Sequence, residues 1–210
     1  LVGSGGCVLD NAAAASTPTL VIRGTGTGNG LLQGGEVRGV IFIGSAGLPN
    51  RAISLRYVFG FTIADNFFYN SGEAIYADGG LIQVRVLRNK MRGPNSYAYG
   101  GVNNSTTDCL LMDGTVTGFY NGLTLAENYC GAGTAAIKLL GGTYDAVQVE
   151  RNMAEGQSVY AWHLDQLRDF TVGENYSEFL TGNDMLINNS AGGVVRNHNA
   201  HSVTTVNLNA

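Results

Sequence analysis

The chain has 210 residues, of which 13% are charged and 44% hydrophobic, with 31 glycines and only 3 prolines. This composition is too apolar for a disordered chain and too rich in glycine for a helical one, so it favours short strands joined by tight turns. The formal net charge of −4 argues against a nucleic acid as partner. No apolar run approaches the roughly 18 residues of a transmembrane helix, so we expect no membrane insertion.

A chain of this length can bury one sizeable core, so we expect a single domain that spans residues 1–210. The sequence opens at Leu1 on residues that resemble the middle of a domain. We therefore expect this stretch to be part of a longer protein.

The sequence carries no motif for a metal or an organic cofactor, and we expect none. The three cysteines, Cys7, Cys109 and Cys130, are odd in number and fit no zinc spacing, so we expect free, buried thiols. The glycine-rich run 24–30 fits neither dinucleotide-binding nor P-loop motifs and predicts a turn.

In chain order, apolar segments at 19–26 and 35–44 come first, and a short alternating strand that ends in asparagine then repeats. Its copies are 61–66, 84–89, 147–152, 170–175 and 194–197. Where copies are adjacent, the terminal asparagines are 23, 23 and 22 residues apart. This period predicts a solenoid with coils of about 23 residues.

A second strand precedes most of these copies, so each coil has at least two strands. The second strands are 74–80, 136–142, 161–165 and 185–189. Between Asn89 and Asn152 two to three coils must fit, and the places of 110–113 and 123–128 are ambiguous. We expect an enlarged loop in this middle region.

The pattern predicts an all-β fold, a right-handed single-stranded parallel β-helix. Alternate residues of each strand point inward and stack on their counterparts one coil away. The predicted core residues are Ile63, Val84, Val86, Val147, Val149 and Val172. The terminal asparagines are expected to take the left-handed backbone of a corner and to form a side-chain ladder, with the glycine pairs 79–80 and 141–142 at another corner. A β-sandwich lacks the hairpin signals, and a leucine-rich repeat lacks its signature.

The segments 19–26 and 35–44, followed by the asparagine-ended coils, resemble the pectate-lyase-like β-helix superfamily, and within it bacteriophage tailspikes and capsule depolymerases. The resemblance implies a homotrimer, located on the virion tail or secreted by a bacterium, that binds bacterial surface polysaccharide and cleaves it. The Asn-Thr-Asp, Asp-Asp, Gly-His-Gly and Arg-Ile-Lys motifs of polygalacturonases do not occur, so no catalytic role is carried over.

Glycoside hydrolysis needs two carboxylates, which adjacent coils can supply at matching positions. Asp78 and Asp165 end their second strands, Glu127 is expected on the same flank between them, and Asp113 is a fourth catalytic candidate. The alternative for each is a solvated or corner-capping acid.

Aromatic side chains near these acids are the candidate sugar-binding residues. Trp162, His163 and Asp165 form the densest local cluster, although strand alternation also allows a core Trp162 with His163 and Asp165 outside. Tyr76, Tyr97 and Tyr99 are further platform candidates, with subunit packing as the alternative. An endo-acting hydrolase or lyase and a non-catalytic adhesin or tail-fibre stalk both stay open.

Overall fold

The computed structural model describes residues 2–10, 17–44, 50–69, 71–92, 108–115, 119–201 and 206–209. In these residues the chain forms a parallel β-solenoid of about six turns, with about 24 residues in a coil. The predicted all-β parallel β-helix is confirmed. The described residues also include one short 3-10 helix, at Gly28–Gly30.

The described strands, in chain order, are β1 (Val2–Asp10), β2 (Leu20–Arg23), β3 (Leu32–Gln33), β4 (Glu36–Ile43), β5 (Arg51–Arg56), β6 (Val58–Phe59), β7 (Thr62–Ala64), β8 (Phe67–Tyr69), β9 (Glu73–Ala77), β10 (Leu81–Ile82), β11 (Arg85–Leu87), β12 (Lys90–Arg92), β13 (Asp108–Asp113), β14 (Phe119–Asn121), β15 (Thr124–Ala126), β16 (Tyr129–Leu140), β17 (Thr143–Asp145), β18 (Gln148–Glu150), β19 (Met153–Asp165), β20 (Leu167–Arg168), β21 (Thr171–Gly173), β22 (Tyr176–Glu178), β23 (Asn183–Asn188), β24 (Val194–Arg196), β25 (Asn199–Ala200) and β26 (Val206–Asn209).

Each coil has four faces, which the coil beginning at β7 illustrates. Strand β7 lies on the first face, β8 on the second, β9 on the third and β10 on the fourth. One coil further on, these strands pair in parallel with β11, β12, β13 and β14, respectively. The long strands β16 and β19 run through the second and third faces without interruption. The first and third faces are those that the sequence predicted.

The core is a set of columns in which matching residues of successive coils stack inside the solenoid. All six predicted core residues have 0% exposure, which confirms the predicted inside and outside of the strands. On the second face, the rings of Phe42 and Phe68 stack with their centroids 4.9 Å apart. Cys109 and Cys130 are free and buried as predicted, whereas Cys7 is only partly buried.

The predicted asparagine ladder runs along the corner between the first and second faces. The Oδ1 atom of Asn89 accepts hydrogen bonds from the backbone N–H and from Nδ2 of Asn66, at 3.1 and 3.0 Å. Its own Nδ2 donates to the Ile63 carbonyl and to Oδ1 of Asn128, at 3.0 and 3.1 Å. Asn152 and Asn175 continue the ladder. Each buried amide is thus satisfied, as burial of polar groups requires.

The prediction that the terminal asparagines adopt the left-handed backbone holds for Asn197 and is wrong for the asparagines of the ladder. The residue before each of them does so instead. These corner residues are Asp65, Arg88, Glu127, Arg151 and Glu174, with φ between 53° and 60°. The asparagine side chain has to point inward to join the ladder. The residue before it therefore adopts the left-handed backbone that forms the corner, and its charged side chain points to solvent.

Two further details concern the repeat, of which the first decides between two and three coils in the middle region and the second corrects the last rung. The ladder intervals of 39 and 24 residues show that two coils lie between Asn89 and Asn152, and the first of them contains the long insertion at 93–107. At the last rung, Gly173 pairs with Arg196, so His198 and not Asn197 is level with Asn175. Asn197 has a φ of 47° and occupies the corner position.

Candidate functional site

Three of the four predicted carboxylates share one position, at the carboxyl end of the third face. Ala77 pairs with Met112, which puts Asp78 and Asp113 level on adjacent coils. Leu140 follows in the next coil, and Asp165 comes after it. The structure therefore brings Asp78 and Asp113 together, and the coil of Leu140 lies between Asp113 and Asp165.

Glu127 is not on this flank, so the expectation that it lies between Asp78 and Asp165 is wrong. It follows β15 and occupies the corner before Asn128, between the first and second faces. Arg151 Nη2 lies 3.2 Å from its Oε1. The short strand before Glu127 resembles a second strand in sequence, but it pairs with first-face strands.

The three acids of the carboxyl-end column contact neighbouring polar groups. Asp113 accepts hydrogen bonds from the backbone N–H and the Oγ1 of Thr115, at 3.0 and 2.6 Å, which closes a local turn. Asp165 accepts a hydrogen bond from Asn189 Nδ2 at 3.1 Å, and Asp78 lies 3.7 Å from Arg56 Nε. Of these, Asp113 is the most firmly held in a capping role.

Two predicted sugar platforms are wrong because their rings are covered. Trp162 is fully buried in the core column of the third face, between Ile137 and Met185. Tyr76 faces outward but is only 7% exposed, because the guanidinium of Arg51 lies 3.3 Å above its ring centroid. The alternation that predicted a core Trp162 with His163 outside is confirmed.

His163 is half-buried on the outer third face, beside the ring of Tyr160 at a centroid distance of 5.2 Å. Burial lowers the pKa of His163, and nearby Lys138 lowers it further, while Asp165 opposes both. At neutral pH the ring is therefore uncharged and can both donate and accept a hydrogen bond. Tyr97 and Tyr99 lie outside the described residues.

The second face carries acids and tyrosines that the sequence did not single out. Glu155 and Glu178 are paired in register on adjacent coils, as are Met153 and Tyr176. Tyr129 donates a hydrogen bond to Glu155, and Tyr176 donates one to Glu178 Oε2 at 2.7 Å. The arrangement places phenol and carboxylate groups side by side along the solenoid axis.

A denser cluster lies at the amino ends of β9 and β13, on the outer third face. Glu73 accepts a hydrogen bond from Arg51 Nε at 2.8 Å, and Lys138 Nζ donates to Oδ2 of Asp108 at 3.2 Å. The side chain of Asp108 is only 5% exposed, and its Oδ1 makes no hydrogen bond of good geometry within the described residues. Burial raises the pKa of Asp108, against the opposing effect of Lys138.

Asp108 also lines a small cavity at the corner between the second and third faces. The other described residues around this cavity are Phe68, Ser71, Gly72, Ala74, Met91, Arg92, Cys109 and Ala132. Asp108 and Glu73 were missed because the sequence does not show which strand follows the insertion at 93–107. Asp108 opens an apolar strand, which is the one signal that could have identified it.

In the part of the chain that the structure describes, no group of three or more His, Cys, Asp or Glu side chains is placed to hold a metal ion. The same residues include no helix long and apolar enough to span a membrane.

The described chain is thus a parallel β-helix whose outer second and third faces carry carboxylates, tyrosines and cations. No family model and no curated protein matches it. Among solved structures it is similar to tailspike protein 3 of bacteriophage CBA120, with a TM-score of 0.45 and 12% identity over 90% of this chain. It is also similar to the Dettilon tailspike protein, with a TM-score of 0.39 and 9% identity over 95% of this chain. The chain covers 38% and 60% of these two proteins.

Proposed function

We propose that this β-helix binds bacterial surface polysaccharide along its second and third faces and cleaves it, as part of a trimeric phage tailspike. The observation that supports this proposal is the register of outward polar groups on successive coils, with Glu155 beside Glu178 and Asp78 beside Asp113. A polymer lying along the axis would meet a repeated set of hydrogen-bonding groups. The partly exposed Tyr129 and Tyr176 could offer both an apolar ring and a hydroxyl to a sugar.

Cleavage requires two carboxylates at a fixed separation. Matching positions on adjacent coils are about 4.8 Å apart, close to the roughly 5–5.5 Å between the carboxyl groups of retaining glycosidases. The rigid stack fixes such a pair without loops. Asp78, Asp113, Glu127 and Asp165 stay candidates from the sequence, and within this set Asp78 and Asp113 form the only pair on adjacent coils of one face.

The test uses the full-length protein with a panel of purified bacterial capsular and O-antigen polysaccharides. Binding is measured by co-sedimentation or biolayer interferometry, and cleavage by the release of reducing ends. We expect binding of at least one polymer and new ends on that polymer. Absorbance of the products in the near ultraviolet would identify elimination in place of hydrolysis.

A non-catalytic adhesin or tail-fibre stalk is the second candidate function. The observation that favours it is the engagement of the predicted acids, since Asp113 caps a turn and Glu127 is held by Arg151. A polymer that is bound and remains uncut supports this alternative.

A further inference from the structure

The coil of β11 and β12 carries positive charge that the protein itself does not neutralise. All aspartates and glutamates of the sequence lie within the described residues, and most lysines and arginines pair with one of them. Among the described residues, the cations without a carboxylate partner are Arg23, Arg85, Lys90, Arg92 and Arg168. Arg85, Lys90 and Arg92 thus belong to a single coil, in a chain whose formal net charge is −4.

Lys90 and Arg92 point outward from the same strand of the second face. Met91 between them is buried in the core at 1% exposure, so the alternation of β12 directs both cations to the outside. The Lys90 side chain is exposed and the Arg92 side chain is partly exposed. Two neighbouring cations without a carboxylate partner create a positive potential on this surface, which attracts an anionic ligand.

Aromatic side chains flank these cations along the solenoid axis. Lys90 is level with Phe67 on the preceding coil and with Tyr129 on the following coil. Arg92 is level with Tyr69 on the preceding coil. Adjacent coils are about 4.8 Å apart, so the rings of Phe67 and Tyr129 bracket Lys90 over about 10 Å of the outer second face.

Gly131 determines how the ring of Tyr129 lies on this face. A Cβ atom at Gly131 would be only 3.0 Å from Oη and 3.1 Å from Cε1 of Tyr129, so the ring leans along the strand over the glycine. The hydroxyl of Tyr129 donates a hydrogen bond to Glu155, which holds the ring in place. The guanidinium carbon of Arg92 lies 5.8 Å from the ring centroid. A partly exposed ring therefore lies beside a cation on the outer surface.

We infer that the outer second face at β12 recognises an anionic group of an acidic polysaccharide, with Lys90 and Arg92 binding the anion and Phe67 and Tyr129 contacting the adjoining sugar rings. This inference names the substrate class of the proposed function and rests on it. A guanidinium can donate two parallel hydrogen bonds to a carboxylate or a phosphate, and an ammonium adds a compact charge. Tyrosine and phenylalanine rings provide the apolar surface on which a sugar packs.

The carboxylates of the second face lie far enough away to leave this site positive. Glu155 is one coil beyond Gly131 and therefore two coils, or about 10 Å, from Arg92. That separation exceeds the Debye length of about 8 Å at physiological ionic strength, so solvent ions screen most of the repulsion between Glu155 and a bound anion. The face thus has a cationic part at β12 and an acidic part at Glu155 and Glu178.

The first experiment changes only the charge of the polymer. Each acidic polysaccharide that the full-length protein binds is compared with the same polymer after carbodiimide activation and borohydride reduction, which converts sugar carboxylates into neutral alcohols. We expect the affinity to fall about tenfold or more on reduction, because charge-assisted hydrogen bonds are lost. Binding of a phosphate-containing polymer that is unaffected by this reduction supports the inference with phosphate as the recognised anion.

The second experiment changes only the charge of the protein. Lys90→Gln and Arg92→Gln each remove one unpaired cation from the site, and Arg168→Gln removes one from the exposed end of β20 on the fourth face. We expect all three variants to melt as the wild type does, because none of these side chains has an ion pair to lose. We expect about tenfold weaker binding of the acidic polymer for the first two variants and a change of less than about twofold for Arg168→Gln.

Combining the two changes separates direct recognition from a structural effect. On the carboxyl-reduced polymer, Lys90→Gln and Arg92→Gln should bind as tightly as the wild type, because the group that these side chains contact has gone. A structural role of either side chain would instead weaken the binding of both forms of the polymer, and that result would overturn the inference.

Failure of this inference and failure of the proposed function give different results. A wild type that binds neutral polymers as tightly as acidic ones, or equal binding by Lys90→Gln, Arg92→Gln and the wild type, overturns the inference and leaves polysaccharide binding standing. Equal losses in Arg168→Gln, or equally tight binding of double-stranded DNA, would show a general attraction for polyanions and also overturn it. A wild type that binds no polysaccharide overturns both.

Discussion

At the scale of the residue, Val149 shows how strongly one position of the core is determined. It lies fully buried on the first face between Leu125 and Val172. We expect Val149→Asp to lower the free energy of unfolding by about 3–5 kcal/mol, because the change buries a carboxylate without a partner. Thermal melts measure the effect. The control is Gln148→Asp, on the exposed side of the same strand, which we expect to melt within a few degrees of the wild type.

Asp108 gives a second expectation at this scale, in the dependence of stability on pH. Burial raises the pKa of Asp108 in the folded chain above its value in the unfolded chain. Between these two pKa values the folded state binds more protons, so this residue stabilises the fold at acid pH and loses that contribution as pH rises through the folded pKa. Lys138 and Glu73 face the group and contribute opposing effects.

We therefore expect the wild type to gain stability relative to Asp108→Asn when the pH falls from 7 to about 4. Chemical denaturation at several pH values measures the difference. Parallel curves for the two proteins would mean that Asp108 is not buried as the structure shows.

At the scale of the element, the asparagine ladder is the feature most open to test. Nδ2 of Asn152 donates to the Leu125 carbonyl at 2.8 Å and to Oδ1 of Asn175 at 3.1 Å. In Asn152→Asp both donors are replaced by an oxygen, and we expect a loss of about 3 kcal/mol or more at neutral pH. Protonation of the introduced carboxylate at low pH should restore part of the lost stability.

The matched variant is Asn197→Asp. Asn197 ends a strand in sequence as Asn152 does, yet it lies exposed in the corner column, and the ladder position belongs to His198. We expect Asn197→Asp to change stability by no more than about 0.5 kcal/mol, as surface substitutions usually do. Equal losses for the two variants in urea denaturation would contradict the register at the last rung.

The sequence predicts those elements whose side chains repeat. Stacked valines and asparagines recur at about 23 residues, so the first face, its inward residues and the ladder could be derived. The second face has no side chain that recurs through the coils, since Phe68 of β8 is followed by Met91 and then Cys130. The residue that turns the corner also varies, from Asp65 to Arg88. These features depend on register between coils, which period alone does not supply.

The site was less predictable for the same reason. Carboxylates at strand ends could be recognised, and Asp78 and Asp113 do share a column. Pairing Glu73 with Asp108 requires knowing that β13 follows β9 on the third face across 93–107, where no repeat gives the count of residues. Burial of Trp162 and coverage of Tyr76 by Arg51 are likewise properties of packing and not of spacing.

At the scale of the whole molecule, the trimer stays a prediction. Large apolar side chains remain exposed on the single chain, including Val21 at 57%, Phe119 at 50% and Phe179 at 62%. Association would remove such surface from water. We expect multi-angle light scattering of the full-length protein to give three times the chain mass. A monomer at micromolar concentration would refute the prediction.

The charged residues at the corner between the first and second faces affect which coils can pair with each other. Valine columns and asparagine rungs are alike in successive coils, so neither distinguishes the true neighbour of a strand from the strand two coils away. The corner residues alternate in sign along the axis, from Asp65 and Arg88 through Glu127 and Arg151 to Glu174. A coil that skipped its neighbour would place Asp65 beside Glu127 and Arg88 beside Arg151. Each exposed pair contributes only about 0–1 kcal/mol. A skipped coil would replace several attractive pairs by like-charge neighbours at once, so the corner charges disfavour pairing between coils that are not adjacent in sequence.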